Sequence, residues 1–176
     1  MQRFAFLAVL PLLGSCGLIP LPEVKANNFY FVNFVADVKP SEVVYMDANQ
    51  IDFLKTPQLP YRGVTVDAEL TYWGEDPEQH VEFFAAAFRP QCTVVQPPPQ
   101  LVNYTGALRC AGPTGGQVIG EAILKRGQTQ PIHFASAELD KAAQNSVLYL
   151  GIRQLSGKQS ERDYVSVEQI RIRGRL

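Results

Sequence analysis

Apolar and polar residues alternate at a period of two along much of this chain, the spacing that puts apolar side chains on one face of a β-strand. Between residues 63 and 72, Val64, Val66, Ala68, Leu70 and Tyr72 alternate with Thr65, Asp67, Glu69 and Thr71. The first set predicts a buried face and the second a wet one. Residues 80–89 break the rule, because Val81, Phe83, Phe84 and Phe88 make both faces apolar. That pattern predicts a strand covered on both sides. Further strands are predicted over 29–38, 43–46, 51–54, 101–110, 117–125, 131–135, 147–154 and 164–173. Turn residues separate them, among them Lys39-Pro40-Ser41, Asp76-Pro77, the run Gly112 to Gly116, Arg126-Gly127 and Ser156-Gly157. Many short strands with Gly/Pro turns predict an all-β fold, a single antiparallel β-sandwich of jelly-roll-like or immunoglobulin-like type.

One segment has helical composition instead. Ala137 to Gln144 follows Ser136, a capping residue, and carries Glu138 and Asp140 in its first turn, where the helix dipole favours acids. At about two turns it needs tertiary support, so it is read as a short helix connecting strands across one end of the sandwich. The strand pattern Leu148 to Arg153 and Tyr164 to Arg173 resembles the closing strands of jelly-roll sandwiches, carbohydrate-binding modules among them. The resemblance implies a fold, and one fold hosts many functions.

The first fifteen residues do not belong to this pattern. Met1-Gln2-Arg3 precedes an apolar run from Phe4 to Leu13, then Gly14-Ser15-Cys16. A basic start, a short apolar stretch and small residues before a boundary predict a secretory signal peptide. The run is too short for a hydrocarbon layer of ~30 Å, which takes ~20 apolar residues. Leu13-Gly14-Ser15-Cys16 resembles the bacterial lipobox. That resemblance implies cleavage before Cys16, a thioether diacylglycerol on its sulfur, and acylation, by palmitate for example, of the new amino terminus. Residues 1–15 are then a signal peptide, 16–28 a lipidated cysteine and tether stiffened by Pro20 and Pro22, and 29–176 the sandwich domain. The expected location is a bacterial cell envelope, outside the cytoplasm, with the membrane reached through the lipid.

Composition supports a folded, exported domain. The chain has 176 residues, a net charge of −1 and 19% charged residues, so disorder is excluded and nucleic acid is not an expected partner. Three cysteines are an odd number for an exported protein. With Cys16 lipidated, Cys92 and Cys110 remain, and an oxidising compartment allows them to form a disulfide across two strands joined by the stiff Pro97-Pro98-Pro99 turn. Two free thiols are the alternative.

Candidate chemistry is sparse. Trp73 follows Tyr72, so the two point to opposite faces of a strand. Trp73 either closes the core edge or stands exposed as a stacking surface for a ligand such as a sugar ring. Glu75, Asp76 and Glu78, near His80 and Glu82, supply hard oxygen donors for Ca²⁺, but the loop lacks EF-hand spacing and Pro77 restricts its backbone, so a solvated hairpin turn is the favoured reading. Residues 1–88 hold five basic and eleven acidic side chains, whereas 89–176 hold eleven and six. Arg171, Arg173 and Arg175 share one side of the last strand, where they suit an anionic partner or protect a sheet edge. No Gly-x-Ser-x-Gly or P-loop is present, and His80 and His133 lie far apart. The expected function is therefore a non-enzymatic structural or protein-interaction module, with a partner protein in the envelope. A carbohydrate- or peptidoglycan-binding module is the alternative, marked by an exposed Trp73 beside a groove, and a hydrolase is the third reading, marked by His80 or His133 converging with a carboxylate in a pocket.

Overall fold

In a computed structural model of the chain, the residues described are 20, 23–26, 28–32, 35, 38–51, 60–97, 99, 105–158, 160 and 163–176. Cys16, most of the predicted strand 51–54 and the start of the predicted strand 101–110 lie outside the described residues. The elements run β1 (Val24–Lys25), β2 (Phe29–Val32), β3 (Val43–Met46), β4 (Arg62–Trp73), β5 (Glu78–Ala86), β6 (Thr93–Val95), β7 (Ala107–Cys110), β8 (Gln117–Lys125), β9 (Thr129–Ala135), α1 (Ala137–Asn145), β10 (Tyr149–Ser156) and β11 (Tyr164–Arg175).

Four antiparallel pairs define the topology: β2 with β11, β3 with β10, β4 with β9 and β5 with β8. This nesting of first with last describes one long antiparallel ribbon rolled on itself, which is the jelly-roll arrangement. Ladders β4–β11 and β5–β10 then close the ribbon into two sheets. One sheet is β1–β11–β4–β9 with β2 also on β11, and the other is β6–β7–β3–β10–β5–β8. Of the two sandwich types expected, the strand order selects the jelly roll. The β6–β7 hairpin and the two-residue β1 are additions to it.

The main core lies between the sheets, where the inward phase of β4 (Val66, Ala68, Leu70, Tyr72) meets that of β5 (Val81, Phe83, Ala85). A β-bulge in β11 keeps its apolar phase correct. Gln169 has φ 52°, the register shifts between Glu168 and Arg171, and so Val165, Val167 and Ile170 are all buried in the core while Ile172 packs against it. Beyond the bulge, Arg171 and Arg173 are thereby turned outward.

A second, smaller core covers the outer face of the other sheet. Val43 and Tyr45 of β3, Phe84 and Ala86 of β5, and Leu108 and Cys110 of β7 are buried there. This is why β5 is apolar on both faces. The Tyr45 ring lies over Gly151, where a Cβ would stand 2.7 Å from it, and its hydroxyl donates to the Pro113 carbonyl at 2.6 Å. Cys92 and Cys110 form a disulfide at the margin of this cluster, with their Cα atoms 5.0 Å apart.

Helix α1 closes one end of the sandwich. Ser136 caps it by accepting from the Leu139 amide. Asp140 accepts from the Val64 amide at 2.7 Å, and Gln144 donates to the Tyr61 carbonyl at 2.8 Å. Glu138 is buried and accepts from the Ala87 amide at 3.0 Å. The helix thus ties the start of β4 to the end of β5. No helix among the described residues is long and apolar enough to cross a membrane.

One expectation about the last strand is corrected. The last strand is not a sheet edge, because β1 and β2 pair with one side of β11 and β4 with the other. Part of the expected tether, Val24–Lys25, is itself a strand within that sheet. Short extended segments carry too little apolar pattern to be recognised, and unsatisfied backbone groups on β11 recruit them.

Candidate functional site

At the end of the sandwich opposite α1, three aromatic side chains lie in a row on the outer face of one sheet. Trp73 ends β4, Tyr164 begins β11 directly opposite it, and Tyr30 sits on β2. The Trp73 and Tyr164 rings are stacked, with centroids 6.3 Å apart and planes inclined by 26°. Tyr30 meets Tyr164 edge-on at 6.0 Å. Trp73 is 45% exposed and Tyr30 39%, whereas Tyr72 is fully buried. The strand alternation thus resolves the Tyr72–Trp73 pair, with tyrosine in the core and tryptophan in solvent. Beside the row, among the described residues, only Thr129 presents an exposed hydroxyl: it shares a 2.7 Å hydrogen bond with Thr71, which is buried, as is Ser166, which donates to the Thr71 carbonyl, and Val32 lies opposite Tyr164.

A buried polar network holds the row from beneath. The Asp163 carboxylate accepts from the Tyr72 hydroxyl at 3.1 Å, Gln79 Nε2 at 2.9 Å, and the Glu75 and Ser160 amides, both at 3.2 Å. Gln79 also donates to the Lys158 carbonyl at 3.0 Å. This joins β4, β5 and the loop before β11, and so sets where Trp73 and Tyr164 stand. Burial, with the Asp163 charge beside it, pushes the Tyr72 hydroxyl well above its ordinary pKa of 10.0. Gly74 is needed next to Trp73, since a Cβ there would fall 2.1 Å from the Tyr72 hydroxyl and 2.6 Å from Asp163. Tyr30 and Tyr164 also border a cleft of about 70 Å³ between the sheets, with Gln79, Gln154 and Asp163 as polar lining.

The other candidates are placed separately. Asp76 accepts from the Lys158 amide, and the Glu75 carbonyl accepts from Arg126 at 3.0 Å. Glu75, Asp76 and Glu78 do not converge, and no group of three or more His, Cys, Asp or Glu able to hold a metal occurs among the described residues. His80 pairs with Glu121 at 3.1 Å on the outer face of one sheet. His133 pairs with Asp67 at 2.7 Å on the outer face of the other, so the whole sandwich lies between the two histidines. Arg173 bridges Asp67 at 2.9 Å and Glu23 at 2.8 Å, and Arg171 approaches Glu23 at 3.9 Å. Arg175 lies along Gly63, with its Nε 3.2 Å from where a Cβ would be.

Tyr30 and Tyr164 were missed as site residues. Tyr164 had a signal, since it shares the phase of Ser166 and Glu168, but Phe29-Tyr30-Phe31-Val32 is apolar in both phases and gave none for Tyr30. What could not be read was that the two tyrosines meet Trp73, because strands distant in sequence are joined only by the sheet register. Comparison with known proteins finds no family model that matches the chain and no curated protein that matches it.

Proposed function

We propose that this protein is a lipid-anchored, non-enzymatic binding module of a bacterial cell envelope that holds a carbohydrate polymer on the Tyr30–Tyr164–Trp73 row. The observation that carries the reading is three aromatic rings in mutual contact across three strands, two of them more than a third exposed. Aromatic faces are electron-rich and attract the C–H faces of sugar rings, while the exposed Tyr30 phenol and Thr129 hydroxyl offer hydrogen bonds to sugar hydroxyls. The marker for this alternative was an exposed Trp73 beside a groove; Trp73 is exposed, and the cleft nearby is bordered by its row partners Tyr30 and Tyr164 rather than by Trp73 itself. A protein hot spot sits in an apolar, desolvated setting. Here Trp73 is 45% and Tyr30 39% exposed, with the exposed Thr129 nearby. The lipobox-like Leu13-Gly14-Ser15-Cys16 supports the envelope location, and the Cys92–Cys110 disulfide agrees with an oxidising compartment. Two histidines paired on opposite faces favour a binding role over a hydrolase.

Co-sedimentation with insoluble peptidoglycan and with neutral polysaccharides tests the reading. Binding is expected, and Trp73→Ala should weaken it about tenfold, the equivalent of ~1.4 kcal/mol, with the circular dichroism unchanged. Wild-type protein that stays in the supernatant with every glycan, but crosslinks to an envelope protein through the row, would return the function to protein interaction.

A further inference from the structure

The path of the amino-terminal segment fixes where a lipid on Cys16 can lie. Ala26 donates its amide to the Ile170 carbonyl at 3.0 Å, Val24 and Lys25 pair with Ile172 and Arg171, and Pro20 bridges Arg175. The described residues of the expected tether, 20 and 23–26, therefore run along β11 toward its carboxyl end. Only four peptide steps separate Cys16 from Pro20, and an extended chain spans at most about 14 Å over them. Whatever the conformation of those residues, an anchor on Cys16 stays beside the α1 end of the sandwich.

That same end carries two exposed arginines. Arg62 and Arg175 are directly opposite one another across the β4–β11 ladder, and both are exposed. Like charges in directly opposed positions are destabilising. Arg171 and Arg173 are neutralised by Glu23 and Asp67, but neither Arg62 nor Arg175 has a carboxylate partner among the described residues. An anion placed between them relieves the repulsion. The aromatic row is at the other end, because Tyr164 pairs with Trp73 where Arg175 pairs with Arg62. Eleven residue steps of extended strand separate these pairs, about 36 Å.

We infer that Arg62 and Arg175 dock on anionic phospholipid headgroups, so that the sandwich stands end-on and displays Trp73 away from the membrane. The inference rests on the lipid anchor at Cys16. It revises the expected anionic contact, keeping Arg175, replacing Arg171 and Arg173 with Arg62, and giving the contact an orientation.

The sole tryptophan reports the orientation. The lipidated protein is reconstituted in vesicles of phosphatidylcholine with or without phosphatidylglycerol, each containing a dansyl-labelled lipid. In phosphatidylglycerol vesicles Trp73 should transfer little energy to the dansyl acceptors. At about 1 kcal/mol for each basic residue near an anionic surface, the Arg62→Gln/Arg175→Gln variant should lower the docked-to-tumbling ratio about thirtyfold. Its transfer should rise to the level seen in phosphatidylcholine alone. High transfer in the wild type, or equal transfer in the variant, overturns the inference. Reversal by millimolar inorganic phosphate at constant ionic strength also overturns it, because the pair would then be a free-anion site. Mass spectrometry of the mature protein separates the two readings. An unmodified Cys16 removes the anchor itself, whereas a diacylated Cys16 with unaltered transfer removes only the docking.

Discussion

Removing the Asp163 carboxylate should cost more stability than any other single change at the far end of the sandwich. Asp163→Ala strands the buried Tyr72 hydroxyl, removes one of three acceptors from Gln79, and frees two backbone amides, of Glu75 and Ser160. A buried donor left without a partner costs ~1–3 kcal/mol. Gln79 keeps the Lys158 carbonyl and the Tyr72 oxygen, at 3.0 Å each, so the loss falls toward the lower end for each donor. A total of about 3 kcal/mol follows, a large share of a domain stability of ~5–15 kcal/mol. With a urea m-value near 2 kcal/mol per molar, the unfolding midpoint should fall by about 1.5 M. Trp73 fluorescence and far-ultraviolet circular dichroism should move together. Asp163→Asn keeps one acceptor oxygen but turns an NH₂ toward other donors, so about half the loss should persist. Tyr72→Phe removes a hydroxyl that has a partner and should cost ~1 kcal/mol. The Asp163→Ala/Tyr72→Phe double variant should lose less than the sum of the singles, since the stranded hydroxyl is gone. A loss under 0.5 kcal/mol for Asp163→Ala, with m unchanged, would refute the view that this network supports the row.

Three further outcomes are expected. Reducing the Cys92–Cys110 bridge, which closes a separation of 18 residues, should destabilise the domain by ~3 kcal/mol, and matching urea midpoints with and without reductant would count against this. Burial holds the Tyr45 and Tyr72 hydroxyls above their ordinary 10.0, with the charges of Glu138 and Asp163 adding to the effect. Because the folded-state values are raised, that contribution is whole below pH 10 and is lost as the pH climbs beyond it. Both phenols should therefore ionise together with alkaline unfolding, seen as coincident tyrosinate absorbance and loss of near-ultraviolet dichroism, rather than ahead of it. Glu42 accepts from Arg109 Nε at 3.0 Å and from the Lys39 amide at 2.8 Å, and the Arg109 bond first of all holds its carboxyl below 4.5. Its contribution is present above that value and is lost as the pH falls through the folded-state pKa, so Glu42→Gln should flatten the acid limb of a stability–pH curve. An unaltered limb would show that other carboxylates set it.

Most strands were legible in the sequence because one wet face and one dry face leave a period of two. Predicted and observed limits coincide at 43–46 and 117–125, and β5 was correctly read as covered on both faces. Helix α1 was legible through Ser136 and its first-turn acids. The network beneath the aromatic row was not, because Tyr72, Gln79 and Asp163 are up to 91 residues apart and each, taken alone, is an ordinary polar residue near a turn. Glu138 shows the same limit. Its place in the first turn of α1 was explained by the helix dipole, whereas its carboxylate is buried against the Ala87 amide.

By itself the sequence determined which residues face inward, where the chain turns, and that Cys92 and Cys110 could bridge. These are local properties, set by side-chain type and spacing over a few residues. Only the tertiary structure decided the rest. It nested the strands as a jelly roll, enclosed β11 between β1, β2 and β4, and brought Tyr30, Tyr164 and Trp73 together. It also neutralised Arg171 and Arg173 while leaving Arg62 opposite Arg175. The physical reason is that cross-strand register, the choice of partner strand and the bulge at Gln169 are settled by global packing. No local pattern encodes which two distant positions will lie side by side.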